Sequence, residues 1–195
     1  MDKSPLVLLD LIERLGNILR AEMRRLGMSH QLQPVHIHAL LYIQRANRYS
    51  NTPQALAEYL SLTKGTVSQS LLLLDRRGLI ERYEDDVDRR VVRLRLSAYG
   101  EEFLNLFQPA AIWQEATREI SANRIRNGVS ALRETMFMML LDTGGRTFGV
   151  CHTCMYCQKQ SQRIFRCGLF GDRLSGPETR KICHEHAPKP SDQPG

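Results

Sequence analysis

Side chains that could bind a metal ion are confined to one end of this 195-residue chain. All five cysteines lie between Cys151 and Cys183, and the first three follow one another at two-residue gaps in the stretch CHTCMYC. Thiolates at such short spacing are soft ligands that favour zinc or an iron–sulfur cluster. The sequence therefore predicts a small metal-binding region over residues 146–187.

A tetrahedral site needs four ligands, and six residues could supply them. One set is all-thiolate and consists of Cys151, Cys154, Cys167 and Cys183. The alternative set is Cys154, Cys157, Cys183 and His186, in which a C-x2-C pair is followed by C-x2-H. We expect zinc, with an iron–sulfur cluster as the alternative cofactor. A spare exposed thiol such as Cys157 could be oxidised, so the site is either structural or a sensor of metal or redox state.

The residues around these cysteines offer little hydrophobic core. Few large apolar side chains lie in 146–187, so a bound metal would supply much of the folding free energy of this appendage. Thr143-Gly144-Gly145 marks the boundary with the preceding domain, over residues 1–142. The end of the chain, residues 188–195, is rich in Pro and polar residues and is predicted to be a disordered tail.

Composition and charge narrow the class of protein. Lys and Arg total 27 against 21 Asp and Glu, which gives a net charge of +6 and favours a polyanionic partner such as nucleic acid. No apolar run approaches the roughly 20 residues needed to cross a bilayer, and the N-terminus lacks the pattern of a signal peptide. We therefore expect a cytoplasmic protein with reduced thiols and no membrane partner. No acid–base or nucleophile constellation is visible, so an enzyme is not predicted.

Periodicity and capping signals predict a mostly helical domain before the cysteines. Apolar residues recur at helical spacing over 5–27, a second helix is predicted over 34–46, and the chain returns to helix over 97–142 with a kink or break at Pro109. Between these helices, Thr52-Pro53 opens a short helix. The next helix begins after Thr63 and ends at Gly78.

The two short helices are joined by a tight turn, and the second is polar at its N-terminal end. This arrangement is typical of a helix-turn-helix motif. A hairpin follows, because Val92, Leu94 and Leu96 alternate with arginines after the turn DDVDRR. A helix-turn-helix followed at once by a hairpin has the order of a winged-helix domain. The fold class we predict is therefore mostly α (α+β).

These elements predict which side chains contact duplex DNA. The polar end of the second helix would enter the major groove, and arginines at the hairpin tip would suit the narrow minor groove. Asp88 could instead hold the guanidinium of Arg90. The predicted DNA-binding residues are Thr52 and Gln54 for the phosphate backbone, Thr63, Lys64, Thr66, Ser68 and Gln69 for the major groove, and Arg89 and Arg90 for the wing. Val67, Ser70, Leu71 and Leu74 are predicted to face inward.

Residues 52–104, and with them most of 5–142, resemble the MarR family of regulators. The resemblance is carried by TPQALAEYLSLTKGTVSQSLLLLDRRGLIERYEDDVDRRVVRLRLSAYGEEF, including Asp88-Arg89-Arg90 and the RLRLSAYG that follows. It implies a homodimer in which helices over 5–27 and 110–142 intertwine, and a near-palindromic DNA site. The cysteine-rich end is similar to a tail found in some MarR-like proteins, which favours Cys151, Cys154, Cys167 and Cys183 as ligands. A small effector molecule is a further partner that the sequence leaves open.

One departure from the family pattern is the basis of an alternative function. Leu72-Leu73 stands where the family commonly has a basic or polar residue in the reading helix. The leading hypothesis is a homodimeric transcription regulator, a repressor, with a metal-stabilised appendage. The alternatives are a protein-interaction module on a dimeric scaffold that has lost DNA binding, and an iron–sulfur redox sensor.

Overall fold

The computed structural model describes residues 4–106 and 109–189. Within these residues the chain is mostly helical with small sheets, which confirms the predicted fold class. The helices are α1 (Ser4–Met28), α2 (Pro34–Arg45), α3 (Pro53–Tyr59), α4 (Lys64–Arg76), α5 (Ala98–Leu106), α6 (Pro109–Thr117) and α7 (Ala122–Thr143). The strands are β1 (Ile80–Glu84), β2 (Val92–Leu96), β3 (Gly149–Val150), β4 (Cys157–Lys159), β5 (Ile164–Cys167), β6 (Arg173–Ser175) and β7 (Ile182–Cys183).

Most predicted element positions are confirmed, and one helical region is subdivided. The predicted helix over 97–142 consists of α5, α6 and α7, with a second break between Thr117 and Ala122 that the sequence analysis did not predict. Pro109 begins α6, as expected of a residue that lacks a backbone N–H and is tolerated in the first helical turn. Residues 107–108 of the predicted helix lie outside the described residues.

Side-chain caps fix the two helices of the helix-turn-helix. The Thr52 hydroxyl accepts a hydrogen bond from the Ala55 backbone N–H at the start of α3, and Thr63 accepts one from Thr66 at the start of α4, both at 3.2 Å. Helix α4 ends at Gly78, whose φ of +66° is the left-handed conformation that favours glycine. Two backbone hydrogen bonds close this end, from Gly78 to Asp75 and from Leu79 to Leu74.

The main core lies beneath the helix-turn-helix and the hairpin. Strands β1 and β2 pair antiparallel, from Ile80 opposite Leu96 to Glu84 opposite Val92. Buried side chains of α2, α3, α4 and α5 pack against this hairpin, with Ile37, Leu40, Leu56, Leu74 and Leu94 almost fully excluded from solvent. The N-terminal half of α4 is thereby held with one side in the core and the other toward solvent.

The cysteine region folds against this core as a set of short elements. Strands β4, β5 and β6 form an antiparallel three-stranded sheet, and β3 pairs with β7. Buried Ile182 belongs to the main core, and half-buried Phe148 packs against that core. A second, smaller cluster contains Cys151, Leu174 and Cys183. The appendage is thus attached through hydrophobic contacts at both of its ends.

The domain boundary at Thr143-Gly144-Gly145 and the disordered tail over 188–195 stay predictions. Helix α7 ends at Thr143, and Gly144 follows with a φ of +64°. The predicted disordered tail over 188–195 is described only at its first two residues, where Pro188 forms a β-bridge with Cys154. Residues 190–195 lie outside the described residues.

Candidate functional site

The N-terminal half of α4 presents a polar, solvent-exposed surface. Val67, Ser70, Leu71 and Leu74 are buried, as predicted, because they share the face that packs on the core. The predicted contact residues on the other faces are all exposed, and they are Thr63, Lys64, Thr66, Ser68 and Gln69. A helix end of this kind carries free backbone N–H groups as well as polar side chains, which together attract phosphate.

The two leucines that depart from the family pattern differ in their contacts. Leu73 is half-buried and packs against the main core. Leu72 is also half-buried, and it lines a shallow groove together with Thr66, Gln69 and Arg76. Leu72 therefore borders the exposed face of α4 that carries two of the predicted contact residues.

A groove of about 710 Å³ runs between α4, the start of α3 and the hairpin. Five of the predicted contact residues line it, Thr52, Gln54, Lys64 and Ser68 from the helix-turn-helix and Arg90 from the hairpin turn. The Thr52 hydroxyl accepts the capping hydrogen bond but keeps its own hydrogen as a donor, and Gln54 donates to Glu58 at 3.0 Å. The structure thus brings these predicted residues to one surface.

The hairpin turn is braced by its own carboxylates. Asp85 accepts hydrogen bonds from the backbone N–H groups of Asp88 and Val87 and from the Arg93 guanidinium. These bonds, the Asp88 one foremost, lower the pKa of Asp85 to about 2, so this carboxylate is ionised at neutral pH. Asp88 in turn accepts two hydrogen bonds from the Arg90 guanidinium, both at 2.9 Å.

These contacts give the two arginines of the wing different surroundings. Arg90 is held by Asp88, as the sequence analysis anticipated, and its partner lowers its net attraction for phosphate. Arg89 is exposed at the turn. The turn is therefore a fixed support that presents Arg89 to solvent.

Two further arginines line the same groove and were not among the predicted contact residues. Arg93 lies in β2 and is bonded to Asp85 at 2.7 Å, and Arg146 follows α7 and is paired with Glu185 at 2.7 Å. Both line the groove with Lys64. For Arg93, the alternation of Arg with apolar residues was a usable signal. For Arg146 no signal existed, because only the folding of the appendage brings residue 146 to α4.

All five cysteines line one small cavity of about 10 Å³. Three short segments bring them together: the turn that begins at Cys151, the β4–β5 pair, in which Cys157 lies opposite Cys167, and β7, in which Cys183 lies opposite Gly149. Cys151, Cys154 and Cys183 are buried, whereas Cys157 and Cys167 are half-buried. Among residues 4–106 and 109–189, no three His, Cys, Asp or Glu side chains are already spaced as the ligands of a metal ion.

The alternative ligand His186 is placed elsewhere. Its ring lies against Gly149 and its Nε2 atom is 3.0 Å from the Thr153 hydroxyl. It lines a different cavity, beside α7, and is not among the residues around the thiols. All five thiols therefore line one cavity, and His186 lies outside it.

The two most buried thiols interact directly. The thiol of Cys151 donates to Cys183, which lowers the pKa of Cys183 and raises that of Cys151, and burial raises the pKa of Cys151 further. The Asn47 amide also donates to the Cys151 sulfur, at 3.6 Å. An N–H donor aimed at sulfur stabilises the thiolate form, in which cysteine binds metals.

The loop between α2 and α3 carries several contacts to the appendage. The Asn47 backbone N–H donates to the Ile182 carbonyl at 2.8 Å, and the His184 N–H donates to the Ser50 hydroxyl at 2.8 Å. Tyr49 donates to Asp172 at 2.7 Å and stacks on Phe170, with ring centroids 4.1 Å apart. Residues 46–51 are therefore shared between the cysteine region and the helix-turn-helix.

The fold and the groove define a winged helix-turn-helix domain, in which α4 is the second, exposed helix of the motif and β1–β2 is the wing. Residues 30–91 match the model of the MarR family, from the loop after α1 to the turn of the wing. This part of the chain is therefore similar to the MarR family. No curated protein matches the sequence.

Several solved structures share the fold. FabT from Streptococcus pneumoniae, in complex with DNA, has 27% identity and a TM-score of 0.57, covering 72% of this chain and 99% of its own. MepR from S. aureus, also with DNA, has 22% identity and a TM-score of 0.55, covering 66% of this chain and 95% of its own. CouR from Rhodococcus jostii RHA1, bound to p-coumaroyl-CoA, has 16% identity and a TM-score of 0.55, covering 64% and 88%.

In the part of the chain that the structure describes, no helix combines the length and the apolar character that crossing a bilayer requires.

Proposed function

We propose that this chain is a homodimeric, DNA-binding transcription regulator that acts as a repressor and reads a near-palindromic duplex site. The observation that carries the proposal is the exposed polar end of α4, which faces the same groove as the braced wing. A helix of this kind fits the major groove, and Arg89 would reach the adjacent minor groove. FabT, which shares 27% identity over 72% of this chain, was solved with DNA and supports this assignment.

The proposed contacts divide into two kinds. Thr52, Thr63 and Lys64 sit at helix starts, where hydroxyl, ammonium and backbone N–H groups suit phosphate oxygens and set the register on the duplex. Gln69 lies a turn further along α4 and can make paired hydrogen bonds to adenine. The sequence preference would then come mainly from Ser68 and Gln69, and the affinity mainly from the basic side chains.

The long terminal helices support a dimer. Apolar side chains of α1 are exposed in the single chain, including Leu11 at 53% and Ile18 at 56%. The same holds in α7, where Met136 is 48% and Met139 is 66% exposed. Contiguous apolar faces of this extent are buried against a partner in most proteins. A second copy of the chain is the partner we propose, because the two faces lie on the N- and C-terminal helices that intertwine in the family.

A small-molecule effector would have a place to bind. A cavity of about 480 Å³ lies between α7 and the start of the appendage, with Arg45, Arg133, Tyr59 and Phe148 among its lining residues. Basic and aromatic groups together suit an acidic or aromatic compound. CouR, which has the same fold, was solved with p-coumaroyl-CoA, which supports an effector without identifying one.

The alternative of an interaction module without DNA binding is weakened at one of its two leucines. It depended on Leu72 and Leu73 replacing polar contacts, and Leu73 packs against the main core. Leu72 lies in the same groove as Thr66 and Gln69, so the surface around it keeps the polar side chains proposed to contact DNA.

The test is selection of duplexes from a random library, followed by titration of the selected site at several salt concentrations. We expect a near-palindromic site and an affinity that falls linearly with log salt, because phosphate neutralisation releases counterions. Light scattering should show a dimer, and Leu11→Lys should yield monomers while Glu13→Lys, on the same helix, should not. Failure to select any sequence, or an affinity indifferent to salt, would overturn the regulator assignment.

A further inference from the structure

We propose that the cavity lined by the five cysteines is a tetrahedral zinc site whose ligands are Cys151, Cys154, Cys167 and Cys183. The site is separate from the DNA-reading surface and does not depend on the function proposed for it. The ion would join three segments of the appendage and hold them on the loop before α3.

Convergence of the thiols is the first support. Cys151 and Cys183 are 32 positions apart in sequence, yet both belong to the same small buried cluster. The Cys154 backbone N–H donates to the Cys151 carbonyl at 2.9 Å, so the C-x2-C segment folds back on itself as a tight turn. All five thiols in a chain otherwise free of cysteine meet at one cavity.

The size of the cavity favours a single metal ion over a cluster of several atoms. The volume of about 10 Å³ is close to that of one water-sized sphere, which suits one ion. An iron–sulfur cluster carries several iron and sulfide atoms and would need a larger space. Soft thiolate ligands in a tetrahedral arrangement favour Zn²⁺ among the remaining common metals.

Binding would require the thiols to rearrange. Among the described residues no three His, Cys, Asp or Glu side chains are yet spaced as the ligands of a metal ion. Sulfur ligands about 2.3 Å from zinc lie about 3.8 Å from one another, a separation similar to that of two thiols in contact. The thiols that line the cavity would therefore turn toward a common centre when the ion binds.

The choice of four among five follows from burial and chain position. Cys151, Cys154 and Cys183 are all buried, so each is enclosed at the cavity. The fourth ligand comes from the β4–β5 pair, in which Cys157 lies opposite Cys167. Cys157 is only three positions from Cys154, whereas Cys167 lies on the neighbouring strand β5 and supplies a ligand from a more distant part of the chain. Cys157 is then the spare thiol.

The residues around the cavity would orient the ligands of a bound metal ion and shield it from water. The Asn47 amide donates to the Cys151 sulfur at 3.6 Å, and such outer contacts orient ligands and stabilise their charge. Leu174 and Phe165 pack around the thiols and exclude water. Because that apolar cluster is small, metal coordination would contribute much of the stability of the appendage.

The experiment measures metal content and ligand geometry on the full chain, purified under reducing conditions. We expect about one zinc per chain by elemental analysis. After replacement by Co²⁺, we expect the intense sulfur-to-cobalt and visible bands of a tetrahedral thiolate site. Each of Cys151→Ser, Cys154→Ser, Cys167→Ser and Cys183→Ser should lose stoichiometric zinc, and Cys157→Ser should retain it. Circular dichroism of each variant checks that the helical domain is still folded.

Three outcomes would overturn the proposal. Wild-type protein that retains no zinc and gives only the spectrum of hydrated Co²⁺ would remove the site. A brown protein that contains iron and sulfide would replace zinc with a cluster. Loss of zinc in Cys157→Ser, with retention in one of the four other variants, would refute the ligand set. None of these measurements involves DNA, so they are independent of the regulator assignment.

Discussion

Asn47 and Cys151 are 104 positions apart in the sequence, and the Asn47 side-chain amide donates a hydrogen bond to the Cys151 sulfur at 3.6 Å. The Asn47 side-chain oxygen also accepts hydrogen bonds from the Ser50 hydroxyl at 2.7 Å and from the Tyr49 N–H at 3.1 Å. One buried side chain therefore links the cysteine cavity to the loop that leads into α3. The cysteine region and the helix-turn-helix are therefore both in contact with this loop.

Removal of Asn47 tests that connection. Asn47→Ala would leave the Ser50 hydroxyl and the Tyr49 N–H without their acceptor, so we expect a loss of about 1–3 kcal/mol in the free energy of unfolding. The exposed Asn105→Ala provides a matched control and should change stability by less than about 0.5 kcal/mol. Urea denaturation of both variants measures the difference. Equal stability of the two variants would contradict the role of Asn47.

Metal removal should loosen a defined part of the chain. Chelation of the zinc-loaded protein should speed hydrogen exchange at the amides of Asn47 and His184, which bond across the contact between loop and appendage. Amides in the middle of α4 should keep their protection, because their hydrogen bonds depend on the main core. Hydrogen-exchange mass spectrometry measures both. Uniform exchange changes across the whole chain, or no change at all, would contradict this division.

Arg89 at the turn of the wing should matter more than a basic residue of similar exposure elsewhere. Arg89→Ala should weaken binding to the selected duplex by about tenfold, equivalent to about 1.4 kcal/mol, because the turn would present this exposed side chain to the minor groove. Lys189→Ala removes the same charge from the exposed end of the appendage and serves as the control. Fluorescence anisotropy at fixed salt compares the two. Equal losses would count against the wing assignment.

Lys64 and Gln69 should have different effects on specificity. Lys64→Ala should weaken binding to all duplexes alike and reduce the salt slope by about 1, as expected for a phosphate contact. Gln69→Ala should cost about 1–3 kcal/mol on the selected site and relax the preference at one base pair. Binding to a panel of single-base variants of the site, at two salt concentrations, separates the two effects. An identical pattern for both variants would refute the assigned roles.

The sequence determined the order of elements and the face of each helix. Local signals sufficed for this, because Thr52 and Thr63 cap helices within four residues, Gly78 supplies a left-handed conformation, and apolar residues of α4 recur with the helical period. The Asp88–Arg90 pair was predictable for the same reason, since its partners are two residues apart. The break before α7 was missed because it carries no proline or glycine.

Only the tertiary structure decided which residues that are distant in the sequence become neighbours in space. The sequence left six candidate ligands, and folding placed five thiols at one cavity while turning His186 toward Thr153. It also placed Arg146 at the α4 groove and joined Asn47 to Cys151. The physical reason is that periodicity and capping act over a few residues, whereas these contacts depend on how short, irregular strands pack onto a loop more than 100 positions away.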